Sequence, residues 1–169
     1  SQLKFDVVSD EANNDKIFGF AKAPDNSIWY STLRNVYKVV NDKGTRQTRY
    51  NDIPFKLFGF FGEYLVATTH NNDFLICSNY NGALVSKLSL DQNCIWDRLY
   101  HLDADHVLIS TNNLYRLLTL STLEMSVIEN PLVPLQAEAI CSDKQKAYFF
   151  KNGSVTSIDL NRLLLPPDM

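Results

Sequence analysis

Short apolar runs divided by polar turn formers recur along the chain with a period of about forty residues, the mark of a repeat architecture. Ile17-Phe18-Gly19-Phe20 returns as Leu57-Phe58-Gly59-Phe60, then as Leu99-Tyr100 and Ala139-Ile140, with Phe20, Phe60, Tyr100 and Ile140 in one spacing. Behind each member stands a second run: "SIWYST" (27 to 32), "YLVATT" (64 to 69), "HVLIST" (106 to 111) and "KAYFFKN" (146 to 152). A third follows a short turn: "VYKVV" (36 to 40), "FLICS" (74 to 78), "LYRLL" (114 to 118) and "VTSID" (155 to 159). A fourth is weaker and more polar: "TRQTRY" (45 to 50), "ALVSKLSL" (83 to 90) and "EMSVIE" (124 to 129).

The connectors predict antiparallel hairpins. "APDN", "DAD" and "DKQ" separate first from second runs, and "RN", "NN" and "NG" separate second from third, where Asn and Gly tolerate the positive φ of tight turns. Near-continuous apolar second and third runs require cover on both faces, whereas a one-sided sheet alternates apolar and polar residues. Radial stacking of four-stranded sheets supplies that cover and leaves the outermost strand wetter.

The expected fold is therefore all-β, a β-propeller or propeller segment of about four blades within one domain, each a four-stranded antiparallel sheet. The repeats span about 17–52, 55–92, 95–131 and 137–165. "LYRLLTLSTLEM" carries enough Leu to read as a helix, but the aligned segments favour strand. "IDLNRLLLPP" fits a helical turn before Pro166 as well as a strand. The fourth repeat lacks an outer strand, while residues 1–9, with "LKFDVV" at 3 to 8, look like one. That strand either completes the last blade of a four-bladed ring or belongs to a preceding blade of a larger ring. Gly-poor blades of this size favour the second, so the chain reads as a segment of a larger ring.

"DNSIWYSTLRNVYKV" and "LISTNNLYRLL" resemble the regulator-propeller repeat of bacterial two-component sensor proteins. Asp25-Asn26-Ser27-Ile28-Trp29 with Thr32, and Val36-Tyr37-Lys38, follow its pattern in the first repeat. Leu108-Ile109-Ser110-Thr111 with Leu114-Tyr115-Arg116 follow it in the third. The usual glycines are replaced by Leu33-Arg34-Asn35 and Asn112-Asn113. The second repeat keeps only Thr69, and the fourth has Gly153 but neither Trp nor Thr. The resemblance implies the extracytoplasmic, periplasmic input region of a hybrid histidine kinase, sensing polysaccharide breakdown products. The membrane would then be reached only through other parts of the parent.

Sixteen basic against nineteen acidic residues, with no Lys/Arg-rich block, exclude a nucleic-acid surface. No apolar run reaches membrane-spanning length. Cys77, Cys94 and Cys141 form an odd set without CxxC spacing and read as buried free thiols.

No nucleophile elbow, zinc-protease, P-loop or dinucleotide motif is present, so no catalytic residue, metal or cofactor is expected. "HLDADH" (101 to 106) has metal-ligating residue types but falls where other repeats have ordinary turns, and Asn152-Gly153-Ser154 reads as a hairpin turn rather than a glycosylation site. The loops between second and third strands gather Arg34, Asn35, His70, Asn71, Asn72, Asn112 and Asn113, with Gln136 in a linker, as a face for an oligosaccharide or a partner. Asp97, Arg98 and Glu138 fall on first strands as channel residues. A protein-interaction scaffold is the second functional reading. A propeller hydrolase is the third, and Asp97 and Glu138 alone do not supply its carboxylate and metal set. Exposed end blades predict self-association.

Overall fold

The computed structural model describes residues 9–10, 16–50, 55–89 and 95–165. The chain divides into two compact units, Ser1–Ser89 and Leu90–Met169. In the first, β1 (Ser9–Asp10), β2 (Ile17–Lys22), β3 (Ile28–Thr32), β4 (Val36–Val40) and β5 (Lys43–Arg46) form a sheet in the order β1-β5-β4-β3-β2. Its second sheet runs in chain order: β6 (Phe55–Phe61), β7 (Tyr64–Thr69), β8 (Asp73–Ser78) and β9 (Leu84–Ser89). The second unit holds the meander β10 (Trp96–His101), β11 (His106–Thr111), β12 (Tyr115–Thr119) and β13 (Glu124–Ile128). It then adds β14 (Ala139–Ser142), β15 (Lys146–Lys151), β16 (Ser154–Asp159) and the short helix α1 (Leu160–Leu164).

Consecutive strands within each sheet pair antiparallel, as the turn chemistry predicts. The fourth sheet has three strands, and α1 follows where an outer strand would come. The expected strand at 1–9 falls largely outside the described residues; its last residue, Ser9, pairs parallel with Lys43, and Asp10 with Gly44. "LYRLLTLSTLEM" is strand, turn and strand, with Leu123 at φ 58° in the turn.

Two expectations need correction. In "TRQTRY" the strand β5 stops at Arg46 and Thr48–Tyr50 forms a 3-10 turn. That turn carries Tyr50 into the core beside Trp29 and Phe55, where burial of the ring outweighs continuing the edge strand. Cys77 is a buried free thiol as expected, but Cys141 is exposed, because β14 turns it away from the core side that Ile140 occupies. Cys94 lies outside the described residues.

Each unit has its own core between its two sheets. In the first, Trp29, Val36, Phe58, Leu65, Leu75 and Cys77 pack together. In the second, Leu108, Tyr115, Leu117, Ile140, Phe149 and Leu163 do so. Tyr115 also ties strand to linker: its hydroxyl donates to the Pro134 carbonyl at 2.7 Å and accepts the Ala137 N–H at 3.1 Å. In the second and third sheets the second and third strands are buried on both faces, as the apolar runs require: Leu65, Val66, Leu75, Ile76, Leu108, Ile109, Leu117 and Leu118 are all buried. By contrast β9 is largely exposed, and so is β16 of the fourth sheet, because no outer strand follows it.

The hydroxyl pairs that end the second runs have a structural cause. Among the described residues the buried polar side chains are Ser31-Thr32, Thr68-Thr69 and Ser110-Thr111. The second hydroxyl of each pair holds the following turn. Thr32 Oγ1 accepts the Asn35 N–H at 3.3 Å, Thr69 Oγ1 accepts those of Asn71 and Asp73 at 3.3 Å, and Thr111 Oγ1 accepts that of Leu114 at 3.3 Å. Opposite each pair the first strand carries a bulge, at Phe18, Lys56 and Asp97 respectively. The first hydroxyl serves the bulge in two sheets: Thr68 Oγ1 accepts the Leu57 N–H at 3.2 Å, and Ser110 Oγ donates to Asp97 Oδ2 at 3.4 Å. In the fourth sheet, where Lys151-Asn152 ends the run, β14 and β15 pair without a register shift.

The aspartates of "APDN", "DAD" and "DKQ" have one common role. Asp25, Asp103 and Asp143 each accept the backbone N–H two residues on, at 2.9, 2.8 and 2.8 Å, closing an Asx turn. Asn152 at φ 52° and Gly153 at φ 77° form the tight hairpin expected of that pair.

Candidate functional site

The loop residues singled out in the sequence divide by unit. In the first, Arg34 is exposed and Asn35 partly so, both on the Thr32-held turn. His70, Asn71 and Asn72 form the corresponding turn of the next sheet, with Asn72 at φ 62°. In the second unit, Asn112 is committed to the fold. Its side-chain oxygen accepts the Ile95 N–H at 3.0 Å, its own N–H donates to the Ile95 carbonyl at 3.0 Å, and its carbonyl accepts from the Gln136 amide at 2.6 Å. Asn113 Oδ1 accepts the Thr111 hydroxyl at 3.1 Å.

Of the residues expected at a channel, Arg98 and Glu138 meet through a backbone group rather than as an ion pair, and Asp97 instead accepts the Ser110 hydroxyl at 3.4 Å. Asp97 and Arg98 lie on β10, and Glu138 immediately precedes β14. Arg98 Nη1 donates to the Glu138 carbonyl at 2.8 Å, and Glu138 Oε1 accepts the Asn152 N–H at 3.2 Å. All three side chains are exposed, so they offer polar contacts without a desolvation penalty.

"HLDADH" forms the end of β10, a turn and the start of β11. His106 Nδ1 lies 2.8 Å from Asp103 Oδ1, while Asp105 accepts the Ser121 N–H and hydroxyl at 2.8 and 2.9 Å, so both carboxylates are engaged in loop contacts. Burial opposes ionisation of Asp103, but the N–H of Asp105 and the His106 ring prevail and hold its carboxyl below the usual range. Among the described residues no three His, Cys, Asp or Glu side chains gather as a metal-holding group.

Sequence reasoning missed the surroundings of His70. Its ring meets Phe18 edge to face, with centroids 4.5 Å apart at 79°, and Lys16 Nζ lies 5.1 Å from the Phe18 centroid. Burial, then the charge of Lys56, hold the His70 imidazole below its ordinary pKa. Phe18 and Lys56 are the bulge residues of their strands, and no local pattern announces a bulge. In the second unit, a groove of about 480 Å³ runs between β13 and α1, bordered by Ser126, Ile128, Pro131, Arg162 and Leu164. No described helix is long and apolar enough to cross a membrane.

No family model and no curated protein matches the chain. Solved structures do. The extracellular domain of the hybrid two-component system BT4673 from B. thetaiotaomicron is similar over 98% of this chain and 24% of its own, at 13% identity and TM-score 0.67. The corresponding domain of BT3049 from the same organism is similar over 88% of this chain and 24% of its own, at 10% identity and TM-score 0.59. BamB from Moraxella catarrhalis is similar over 88% of this chain and 48% of its own, at 13% identity and TM-score 0.59. The chain thus spans about half of BamB and about a quarter of each two-component domain. With these similarities the four meanders are β-propeller blades, and the chain has the fold of a propeller or propeller segment.

Proposed function

We propose that the chain is a sensing segment of a two-component signalling protein: a ligand-binding run of propeller blades on the periplasmic side of the membrane, without chemistry of its own. One observation carries the reading. The fold is shared over nearly the whole chain with a domain described as the extracellular part of a hybrid two-component system. The motif resemblance of "SIWYST" and "LISTNNLYRLL" points the same way. A sensor needs recognition surfaces rather than a nucleophile with its base. The loops offer Arg34, Asn35, His70 and Asn71, and the first-strand ends offer Asp97, Arg98 and Glu138, donors and acceptors suited to sugar hydroxyls.

Calorimetric titration with a panel of oligosaccharides, on this chain and on the intact extracytoplasmic region of its parent, tests the reading. Saturable binding weakened by Arg34→Ala or Arg98→Ala supports it. No binding by either protein, with stable capture of a second protein instead, replaces the sensor by an interaction scaffold.

A further inference from the structure

We propose that the first unit carries a binding site for a small organic acid, formed at the ring of Phe18 by the His70 imidazole, the Lys16 ammonium and the bulge residue Lys56. Paired bulges create the site. On β2 the register passes from Ile17 opposite Thr32 to Gly19 opposite Ser31, leaving Phe18 as the extra residue. On β6 it passes from Phe55 opposite Thr69 to Leu57 opposite Thr68, leaving Lys56. A bulge re-aims its side chain out of the ladder. The two bulged strands also lie close: a Cβ built on Gly19 would stand 2.7 Å from the Lys56 carbonyl oxygen.

The hairpin turn after Thr69 brings His70 onto this place. Its ring packs against Phe18 at 4.5 Å, and Lys16 Nζ lies 5.1 Å from the same ring. Nε2 of His70 is buried and has no hydrogen-bond partner. A buried, unpaired ring nitrogen is a costly feature unless something accepts from it or donates to it. The two ammonium groups fix the sign of the missing partner. Among the described residues the ion pairs are Lys38–Asp25, Lys87–Asp73 and His106–Asp103, so neither Lys16 nor Lys56 is paired with a carboxylate. The Lys16 ammonium over Phe18 and the positive charge of Lys56 acting on the imidazole disfavour a metal ion or an amine and favour anionic oxygens. The Phe18 ring supplies an apolar wall, which favours the carbon skeleton of an organic acid over a bare inorganic ion.

Burial and Lys56 keep the imidazole neutral more readily than in a free histidine. A carboxylate seated on it would reverse that bias and raise its titration midpoint. The inference does not rest on the sensory reading: a carboxylate can bind here whatever the parent protein signals.

The chain has three histidines, so imidazole NMR resolves the titration of His70 from those of His101 and His106. The probes are D-glucuronate, D-glucose and inorganic sulfate. The expected result is a saturable rise of the His70 midpoint by roughly 0.5–1 unit with glucuronate. Glucose should have no effect, sulfate should act more weakly than glucuronate, and His101 should stay unmoved. Lys56→Gln should weaken glucuronate binding roughly tenfold. Lys16→Gln, at an exposed position outside the strands, should weaken it in a fold that is intact, and Lys56→Arg should restore binding. A His70 midpoint unmoved by glucuronate overturns the proposal. So does an equal response to glucose or to sulfate, or full binding in both glutamine variants.

Discussion

The Cβ that Gly19 lacks would lie 2.7 Å from the carbonyl oxygen of Lys56, closer than any side-chain carbon tolerates. The Ser31 hydroxyl and the Phe58 ring close the same space at 3.2 and 3.3 Å. Gly19→Ala must therefore push two backbones apart, and it should destabilise the protein by about 1–3 kcal/mol in urea unfolding. Gly153→Ala is the comparison. It meets nothing within 4 Å and acts only through its φ of +77°, so it should cost about 1 kcal/mol. Equal, negligible costs at both positions would refute the close approach of β2 to Lys56.

Thr69 joins two backbone groups of the His70–Asn72 turn through one oxygen, and it is buried. Thr69→Val keeps the shape and leaves both N–H groups without that acceptor, which should cost about 1–3 kcal/mol. Thr69→Ser should recover most of the loss. Hydrogen exchange at the Asp73 amide is the local readout, and unchanged protection in the valine variant would count against the cap.

Asp25 sits in a chain of donors. The Ser27 hydroxyl and N–H, then the Lys38 ammonium at 3.2 Å, hold its carboxyl at about 2 instead of 3.8, while Trp29 Nε1 donates to the Ser27 hydroxyl at 2.9 Å. Because the folded pKa is depressed, this contribution to stability is complete above 3.8 and disappears as pH falls through about 2. Asp25→Asn should flatten the acid limb of stability against pH across that window. A carboxyl-carbon titration of Asp25 with its midpoint near 3.8 would contradict the arrangement.

Cys77 and Cys141 should part in reactivity. Burial pushes the Cys77 thiol up to about 11, whereas Cys141 is exposed on β14. Iodoacetamide at about pH 8 should label Cys141 in the native protein and reach Cys77 only after unfolding. Peptide mapping by mass spectrometry decides it, and native labelling of Cys77 would show that the core around Leu65 and Leu75 opens.

Much of the fold is legible in local chemistry. The hydroxyl pairs at 31–32, 68–69 and 110–111, the aspartates at 25, 103 and 143 and the Asn152-Gly153 turn each act on backbone within a few residues, so their spacing reveals the hairpins directly. The candidate site was less legible. Its residue type marks Asn112 as a ligand contact, but its amide bonds Ile95, seventeen positions away in sequence. Residue type alone marks His70, and nothing in the sequence links it to Phe18, Lys16 or Lys56.

The forty-residue period, the four meanders, the cover on both faces of the inner strands in the second and third sheets and the missing outer strand of the fourth repeat are legible along the chain, because alternation and turn chemistry are local properties. Where the bulges fall, why Tyr50 leaves the edge strand for the core and which side chains meet across neighbouring sheets are set by packing and have no local signature. Those outcomes depend on how one sheet packs on the next. The contact of Phe18 with His70 joins residues 52 positions apart, and such a pair leaves no periodic trace along the chain.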